Sequence, residues 1–378
     1  MTFDLGFLGG GQLARMSIQA AQRMGFKCLS LDPGADTPAS QIAESVQGSL
    51  SDPSKIAEIL NRCERVTLEN EFIPAAAIRE AVQLSGRNEE VVIPGIDTLA
   101  TIQDKLLQRQ ALIAAGVASP RAVPMDDGGK KAIAEIGFPM VLKARFGGYD
   151  GKGTRYAKTP EELEQHRPLW EGGGWLAEEF VPFRRELAVM VAVDSRVQVA
   201  LHTVETIQTN HVCDFTFPSH FGEYGQADGT ETAVAAIRAV GGYGLFGVEL
   251  FETADGRLLV NEIAPRPHNT GHYTLDWGEQ SQFDYHVRLV AGLPIEEGPA
   301  GNSVYMANLL GQPSAGDYRR GVQAALERYP GARVHWYGKT ESKPGRKMGH
   351  INLVARPGES NLDRLREIRR AFYEAWTL

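Results

Sequence analysis

A chain of 378 residues has room for two or three domains with buried cores. Its 43% hydrophobic and 23% charged content excludes a largely disordered chain, and a net charge of −8 is the wrong sign for a binder of duplex nucleic acid. Glycine is the outlier, with 41 residues and no Gly-X-Y period, which excludes collagen and points to several tight backbone sites. Cys28, Cys63 and Cys213 are too scattered for a disulfide framework or a zinc cluster. The start, Met1-Thr2-Phe3-Asp4, lacks a basic segment followed by an apolar one, and no run approaches 18 apolar residues. A soluble cytoplasmic protein with neither a membrane nor a nucleic-acid partner is expected.

The first hundred residues alternate strand and helix patterns. Strands are predicted at 3–8, 27–31, 65–68 and 91–93, and helices at 12–24, 54–61 and 75–84. That alternation predicts a parallel sheet covered by helices. One long helix is predicted over 98–115, with Gly116 as its left-handed cap. Strand-like runs at 141–144 and 154–157 flank a glycine-rich loop, followed by a helix at 161–166 and a strand at 175–181. Beyond Glu186 strands and hairpins dominate, including runs at 333–337 and 350–354. A closing helix carries Leu362, Leu365, Ile368, Phe372 and Trp376 on one face.

Two glycine clusters compete as nucleotide sites. Gly9-Gly10-Gly11-Gln12-Leu13-Ala14 follows a strand, opens a helix and fits G-x-G-x-x-G/A, with Asp32 where a ribose-binding acid would stand. Alone it suggests an NAD-dependent dehydrogenase, or simply a tight turn in a doubly wound domain. The second cluster, Lys143 to Thr154, has four glycines and three cations but not the spacing of a P-loop. Strands flank it on both sides. A glycine-rich hairpin tip lets backbone amides reach phosphate oxygens, and Lys143 adds a point charge, whereas the bland alternative is a surface hairpin.

The sharpest signal is Val248 to Glu262. Asp255-Gly256 between apolar runs predicts a two-residue hairpin in which partners sum to 511, placing Glu249 opposite Glu262 with Cβ atoms about 4.5–5.5 Å apart. Phe251, Val260 and Leu258 are expected on the same face. Opposed like charges destabilise a sheet unless compensated, and Mg²⁺ held by the pair together with substrate phosphates would do so. Asn261 would face the other side of an ideal strand, so its participation requires a local bend.

Lys143, the loop from Gly148 to Thr154, Glu178-Glu179-Phe180-Val181, Glu186, Glu249 and Asn261-Glu262 resemble, in order and spacing, the ATP-grasp superfamily. Within it, four stretches are similar to the N5-carboxyaminoimidazole ribonucleotide synthetase family of purine biosynthesis: 9–16, 147–153, 261–272 and 344–350. The resemblance implies a mixed α/β and α+β fold. It comprises a Rossmann-like domain at 1–100, an ATP-grasp domain at 101–300 (a lid at about 118–182, a larger part at about 183–300) and a small β-rich domain at 301–378. It also implies a homodimer. The implied reaction uses ATP and bicarbonate, through carboxyphosphate, to carboxylate the 5-amino group of aminoimidazole ribonucleotide.

By the same resemblance, ATP falls to Lys105, Lys143, Gly148, Tyr149, Asp150, Gly151, Lys152, Gly153, Thr154, Glu178, Glu179, Phe180, Val181, Glu186, Gln208, Asn261 and Glu262. Mg²⁺ falls to Glu249 and Glu262. Arg266 is expected to stabilise the transferring phosphoryl group, His268 and Asn269 to orient bicarbonate, and Asp150 to meet the reacting amine. Gln12, Leu13, Glu69, Tyr149, Asp150, Lys339, Arg346 and Lys347 would bind the ribonucleotide, with Glu71 bordering the same pocket. Gln208 stands where a histidine is common, Lys105 and Lys343 where arginines are, and Thr270 where a serine is. The rivals are a formate-dependent ATP-grasp transformylase acting on glycinamide ribonucleotide, the NAD-dependent dehydrogenase and a non-catalytic nucleotide binder.

Overall fold

The computed structural model describes residues 2–148, 151–357 and 361–377. Five parallel strands, in the order Glu44–Gln47, Cys28–Asp32, Phe3–Leu8, Cys63–Leu68 and Val92–Ile93, form the first sheet. Its central strand buries Leu5, Phe7 and Leu8 to within 1% of full burial, as expected of a parallel strand covered on both faces. The helices Gln12–Arg23 and Pro53–Arg62 supply two separate apolar clusters that sandwich it. The predicted alternation over the first hundred residues is present, together with the added edge strand Glu44–Gln47.

The predicted long helix is broken. Ile96–Gln103 and Lys105–Ala114 are separate helices. Between them Asp104, 3% exposed, takes extended backbone geometry and its Oδ1 accepts from the Leu106 amide at 3.0 Å, capping the second helix. Its carboxylate also receives Arg145, through Nε at 2.9 Å and through Nη2. An apolar period of 3.6 continues across the break, which is why the pattern reads as one helix. Gly116 does close the second helix at φ +71°. Asp104→Ala removes both cap and ion pair, and is expected to cost about 2–3 kcal/mol, read as a lower urea midpoint.

A four-stranded antiparallel sheet follows, ordered Ala122–Pro124, Trp175–Glu179, Met140–Ala144 and Thr154–Ala157. The pairing Lys143↔Thr154 makes the glycine-rich loop the tip of a hairpin. The third sheet has nine strands, all antiparallel. Its order runs Leu258–Ala264, Gly244–Thr253, Phe183–Val193, Val204–Thr209, Val212–Pro218, Val304–Leu310, Lys347–Val354 and Arg333–Trp336, with Gln198–Ala200 on the side. Strands dominate beyond Glu186, as expected, but the helices Thr230–Ala239, Gln282–Val290 and Tyr318–Arg328 pack there too. In the closing helix Asn361–Trp376, Leu365, Ile368, Phe372 and Trp376 are buried.

Glu249 does pair with Glu262, by a different route from the simple turn arithmetic. The loop holds three residues: Thr253 donates to the Arg257 carbonyl at 3.0 Å, and Gly256 sits at φ +82°. Pairs near the turn, such as Leu250↔Val260 and Phe251↔Leu259, therefore sum to 510, not 511. A bulge at Asn261 adds one residue and restores Glu249↔Glu262. Val260 and Leu258 consequently belong to the opposite face, against a core with Val248 and Leu250, and Leu259 lies beside Phe251. The bulge is the bend that Asn261 needs, for Asn261 and Glu262 both line one cavity.

Candidate active site

A cavity of about 990 Å³ opens where the three sheets face one another. One end is apolar, walled by Val141, Phe180, Val181, Phe183 and Phe251, with Phe183 stacked on Phe251 at 4.5 Å between centroids. Lys105, Lys143, Glu249, Asn261, Glu262, Arg266 and His268 line the middle. The other end reaches the first glycine turn with Gln12, Leu13, Glu69, Lys339, Arg346 and Lys347. Gly148, Gly151, Lys152, Gly153, Thr154, Glu178, Glu186, Gln208 and Asn269 also line it. Thus one cavity gathers nearly every residue singled out from the sequence. Glu179 is the exception, since its carboxylate turns to Arg121 Nε at 3.2 Å. Tyr149 and Asp150 lie outside the described residues.

The centre is a set of buried charges that compensate one another. Glu178, 2% exposed, accepts from Arg109 Nε at 2.8 Å and from Lys143 Nζ at 2.6 Å. Burial alone would raise its pKa, but the two cations reverse that and hold it at about 2. Burial pulls Lys143 below the usual lysine range in spite of Glu178. Arg109, which the sequence reading missed, also donates to the Val260 carbonyl at 3.0 Å and the Asn261 carbonyl at 2.6 Å, so it pins the bulge that turns Asn261 inward. Nothing in the sequence distinguishes Arg109 from a surface arginine except its place one turn after Lys105.

The opposed carboxylates are electrostatically unequal. Glu262 receives Lys105 Nζ at 2.6 Å; burial would raise its pKa, but Lys105 brings it below the ordinary value. Glu249 instead meets the imidazole of His268, with Nε2 3.8 Å from its Oε1. Burial, then Glu262 and Glu186, push it up to about 8, so at neutral pH the pair avoids two adjacent negative charges. Burial likewise raises Glu186 to about 7. Among the described residues no cluster of three or more His, Cys, Asp or Glu could hold a metal alone. Two hard carboxylates beside the Asn261 amide are nevertheless a donor set that fits Mg²⁺ shared with substrate oxygens.

Around them the loop after Leu258–Ala264 is tightly organised. Both ends of Glu71 receive Arg266, Oε1 from Nη2 at 2.7 Å and Oε2 from Nε, so this arginine is already paired. Burial, with Arg266 and Lys347 nearby, lowers His268 to about 3, leaving a neutral imidazole whose Nδ1 meets Thr270 Oγ1 at 2.9 Å. Asn269 exchanges two hydrogen bonds with Asn308, at 2.9 and 2.6 Å, and Asn308 also donates to the Cys213 carbonyl at 2.7 Å. Asn269 is therefore held from behind by the strand Val304–Leu310, a link no sequence spacing discloses.

At the first glycine turn the backbone amides are engaged by the protein's own acids. The Gly10 amide donates to Asp32 Oδ2 at 2.8 Å and the Gly34 amide to Asp32 Oδ1 at 2.8 Å, so Asp32 braces the turn. A Cβ on Gly11 would stand 2.3 Å from Glu69 Oε1, and that same oxygen faces the Leu13 amide at 3.4 Å. The protein's own carboxylate occupies the anion position at this helix start. Opposite it, burial and then the Arg346 charge lower Lys339 to about 8, and its Nζ donates to the Lys347 carbonyl at 2.7 Å. Arg346 donates from Nη1 to the Glu341 carbonyl at 2.8 Å.

Three known families match successive parts of the chain. The ATP-grasp domain family matches residues 110–283, the ribonucleotide synthetase preATP-grasp domain matches 2–103, and the phosphoribosylaminoimidazole carboxylase C-terminal domain matches 304–364. The chain is 38% identical over 369 residues to the N5-carboxyaminoimidazole ribonucleotide synthase of Synechococcus elongatus, covering 96% of this chain and 92% of that protein. It is 39% identical over 372 residues to the phosphoribosylaminoimidazole carboxylase of Ogataea methanolica. There it covers 93% of this chain and 66% of that protein, just under two thirds of the relative's length. The N5-carboxyaminoimidazole synthase of Aspergillus clavatus, solved with ADP and 5-aminoimidazole ribonucleotide, has a TM-score of 0.87. It is 28% identical, with 98% of this chain and 99% of that one covered. Among the described residues no helix is long and apolar enough to cross a membrane.

Proposed function

Because the chain belongs to the N5-carboxyaminoimidazole ribonucleotide synthase family of ATP-grasp proteins, we propose that it carboxylates 5-aminoimidazole ribonucleotide at the expense of ATP, with bicarbonate as the carboxyl source. The observation that carries this reading is the single cavity running from an apolar cleft, past paired carboxylates and lysines, to a basic end. The adenine is assigned to the apolar end beside Phe180 and Phe251, and the ribose to Glu186, all of which line the cavity. The triphosphate lies along Lys105, Lys143 and the amides of 148 and 151–154. Glu249 and Glu262, with Asn261, would hold Mg²⁺, which offsets charge on the phosphoryl group in transfer.

Bicarbonate oxygen attacks the γ-phosphorus and ADP departs, leaving carboxyphosphate. The amine of the ribonucleotide then attacks its carboxyl carbon, phosphate departs and the amine loses a proton, a role assigned to Asp150. Neutral His268 orients the carboxyl group by hydrogen bonding, with Asn269 behind it. Arg266 turns from Glu71 toward the phosphoryl oxygens as charge develops there. Lys339, Arg346 and Lys347 grip the 5′-phosphate, with Gln12, Leu13 and Glu69 on the sugar side. The same reading includes a cytoplasmic homodimer, which sedimentation of the purified protein checks for its subunit count.

The test is phosphate release from ATP. Release that requires both aminoimidazole ribonucleotide and bicarbonate supports the assignment; release driven by formate and glycinamide ribonucleotide overturns it in favour of the transformylase. The basic end also sets a pH dependence. Lys339 is lowered to about 8, so its cationic form is lost as pH rises through that value. The KM for the ribonucleotide is expected to rise several-fold between about pH 7 and about pH 9. Lys339→Arg, charged throughout, removes that rise.

A further inference from the structure

The tip of the hairpin joining Val204–Thr209 to Val212–Pro218 is built from the wrong residue for its geometry. Asn210 and His211 both have positive φ, 52° and 63°. Consecutive left-handed residues at a two-residue tip define a turn that favours Asn-Gly, and asparagine is in its usual place. Histidine at the second position carries backbone strain that glycine would not. Strain of this kind persists where the side chain is useful. Here the imidazole packs on Gly151 of the glycine-rich hairpin: a Cβ on Gly151 would stand 2.8 Å from Cβ, Cγ and Cδ2 of His211.

The contact joins two sheets across the cavity, since Gly151 belongs to the four-stranded sheet's hairpin and His211 to the nine-stranded sheet. His211 stacks on Tyr156 with centroids 6.4 Å apart and planes 21° apart, and Tyr156 meets Phe180 edge-on at 6.3 Å. All three rings line the cavity, and Tyr156 and Phe180 remain 43% and 41% exposed. They form an aromatic rail from the apolar end to the glycine-rich hairpin, a surface that a bound nucleotide would cover. No role was assigned to His211 from the sequence.

We propose that His211 is a nucleotide-positioning residue, holding Gly151 against the nine-stranded sheet and presenting a ring nitrogen to the phosphate end of the bound nucleotide. The proposal rests on the ATP-dependent reading above. His211→Gly tests it, because glycine suits the turn and leaves the hairpin intact. The melting temperature of the free protein is expected to stay the same or rise. The KM for ATP and the Kd for ADP by calorimetry should each rise about three- to tenfold, with kcat within twofold. An unchanged ADP Kd, or a loss of affinity accompanied by a lower melting temperature, would overturn it. Calorimetry with ADP alone keeps this outcome separate from the ribonucleotide assay, whose failure would instead strike the function proposed for the whole site.

Discussion

Glu262→Gln is expected to reduce ribonucleotide-dependent phosphate release by about 10²–10³-fold while leaving the far-ultraviolet circular dichroism unchanged. Glutamine keeps the volume and the strand pairing with Glu249. It loses the charge that neutralises Lys105 at 2.6 Å and the second hard oxygen of the pair. The wild-type arrangement resolves the conflict between two facing acids by giving Glu262 a lysine and letting Glu249 hold a proton near neutrality. Binding Mg²⁺ would replace both devices, freeing Lys105 for the nucleotide. Turnover within threefold of wild type in Glu262→Gln would show that the pair has no part in phosphoryl transfer.

Glu178→Gln is expected to be the most destabilising single change, by about 3–5 kcal/mol, measured from the urea unfolding midpoint. It leaves Arg109 and Lys143 buried around a neutral amide, and Arg109 in turn anchors the carbonyls of Val260 and Asn261. The wild-type contribution has a definite pH signature. Glu178 is lowered to about 2, so its stabilisation is present in full above the ordinary carboxylate range and disappears as pH falls from about 4.5 toward 2. The variant should therefore lose less stability than wild type over that interval. An equal acid sensitivity in both would remove Glu178 from the account.

Much of this was legible from residue order. Local rules carried the parallel sheet, because apolar strands and helices alternate at short spacing, and they carried the glycine-rich hairpin, because both flanking runs are β-like. The pairing of Glu249 with Glu262 emerged from turn arithmetic that was off by one residue at the turn and by one in the opposite sense at the bulge. Two unseen irregularities cancelled at the pair, and their trace survives at Val260 and Leu258, which face the other way. Asp104 and Arg109 could not be read, because their partners Arg145 and Glu178 lie 41 and 69 residues away. A buried cation in a helix has the same local pattern as an exposed one. The first glycine turn misled for a related reason: its local motif is that of an anion site, and only the fold brings Glu69 over it.

The strand Val304–Leu310 adds to the nine-stranded sheet beside Val212–Pro218, through Phe215↔Ala307 and Thr216↔Met306. That pairing shields an edge. Without the residues that follow 300, the strand Val212–Pro218 would present its open backbone groups alongside Phe215 and Phe217, a template for unwanted strand addition by another molecule. Asn269 would lose Asn308 in the same cut. The C-terminal portion thus covers a strand edge that would otherwise invite irregular strand addition, as well as furnishing Lys339, Arg346 and Lys347 to the cavity.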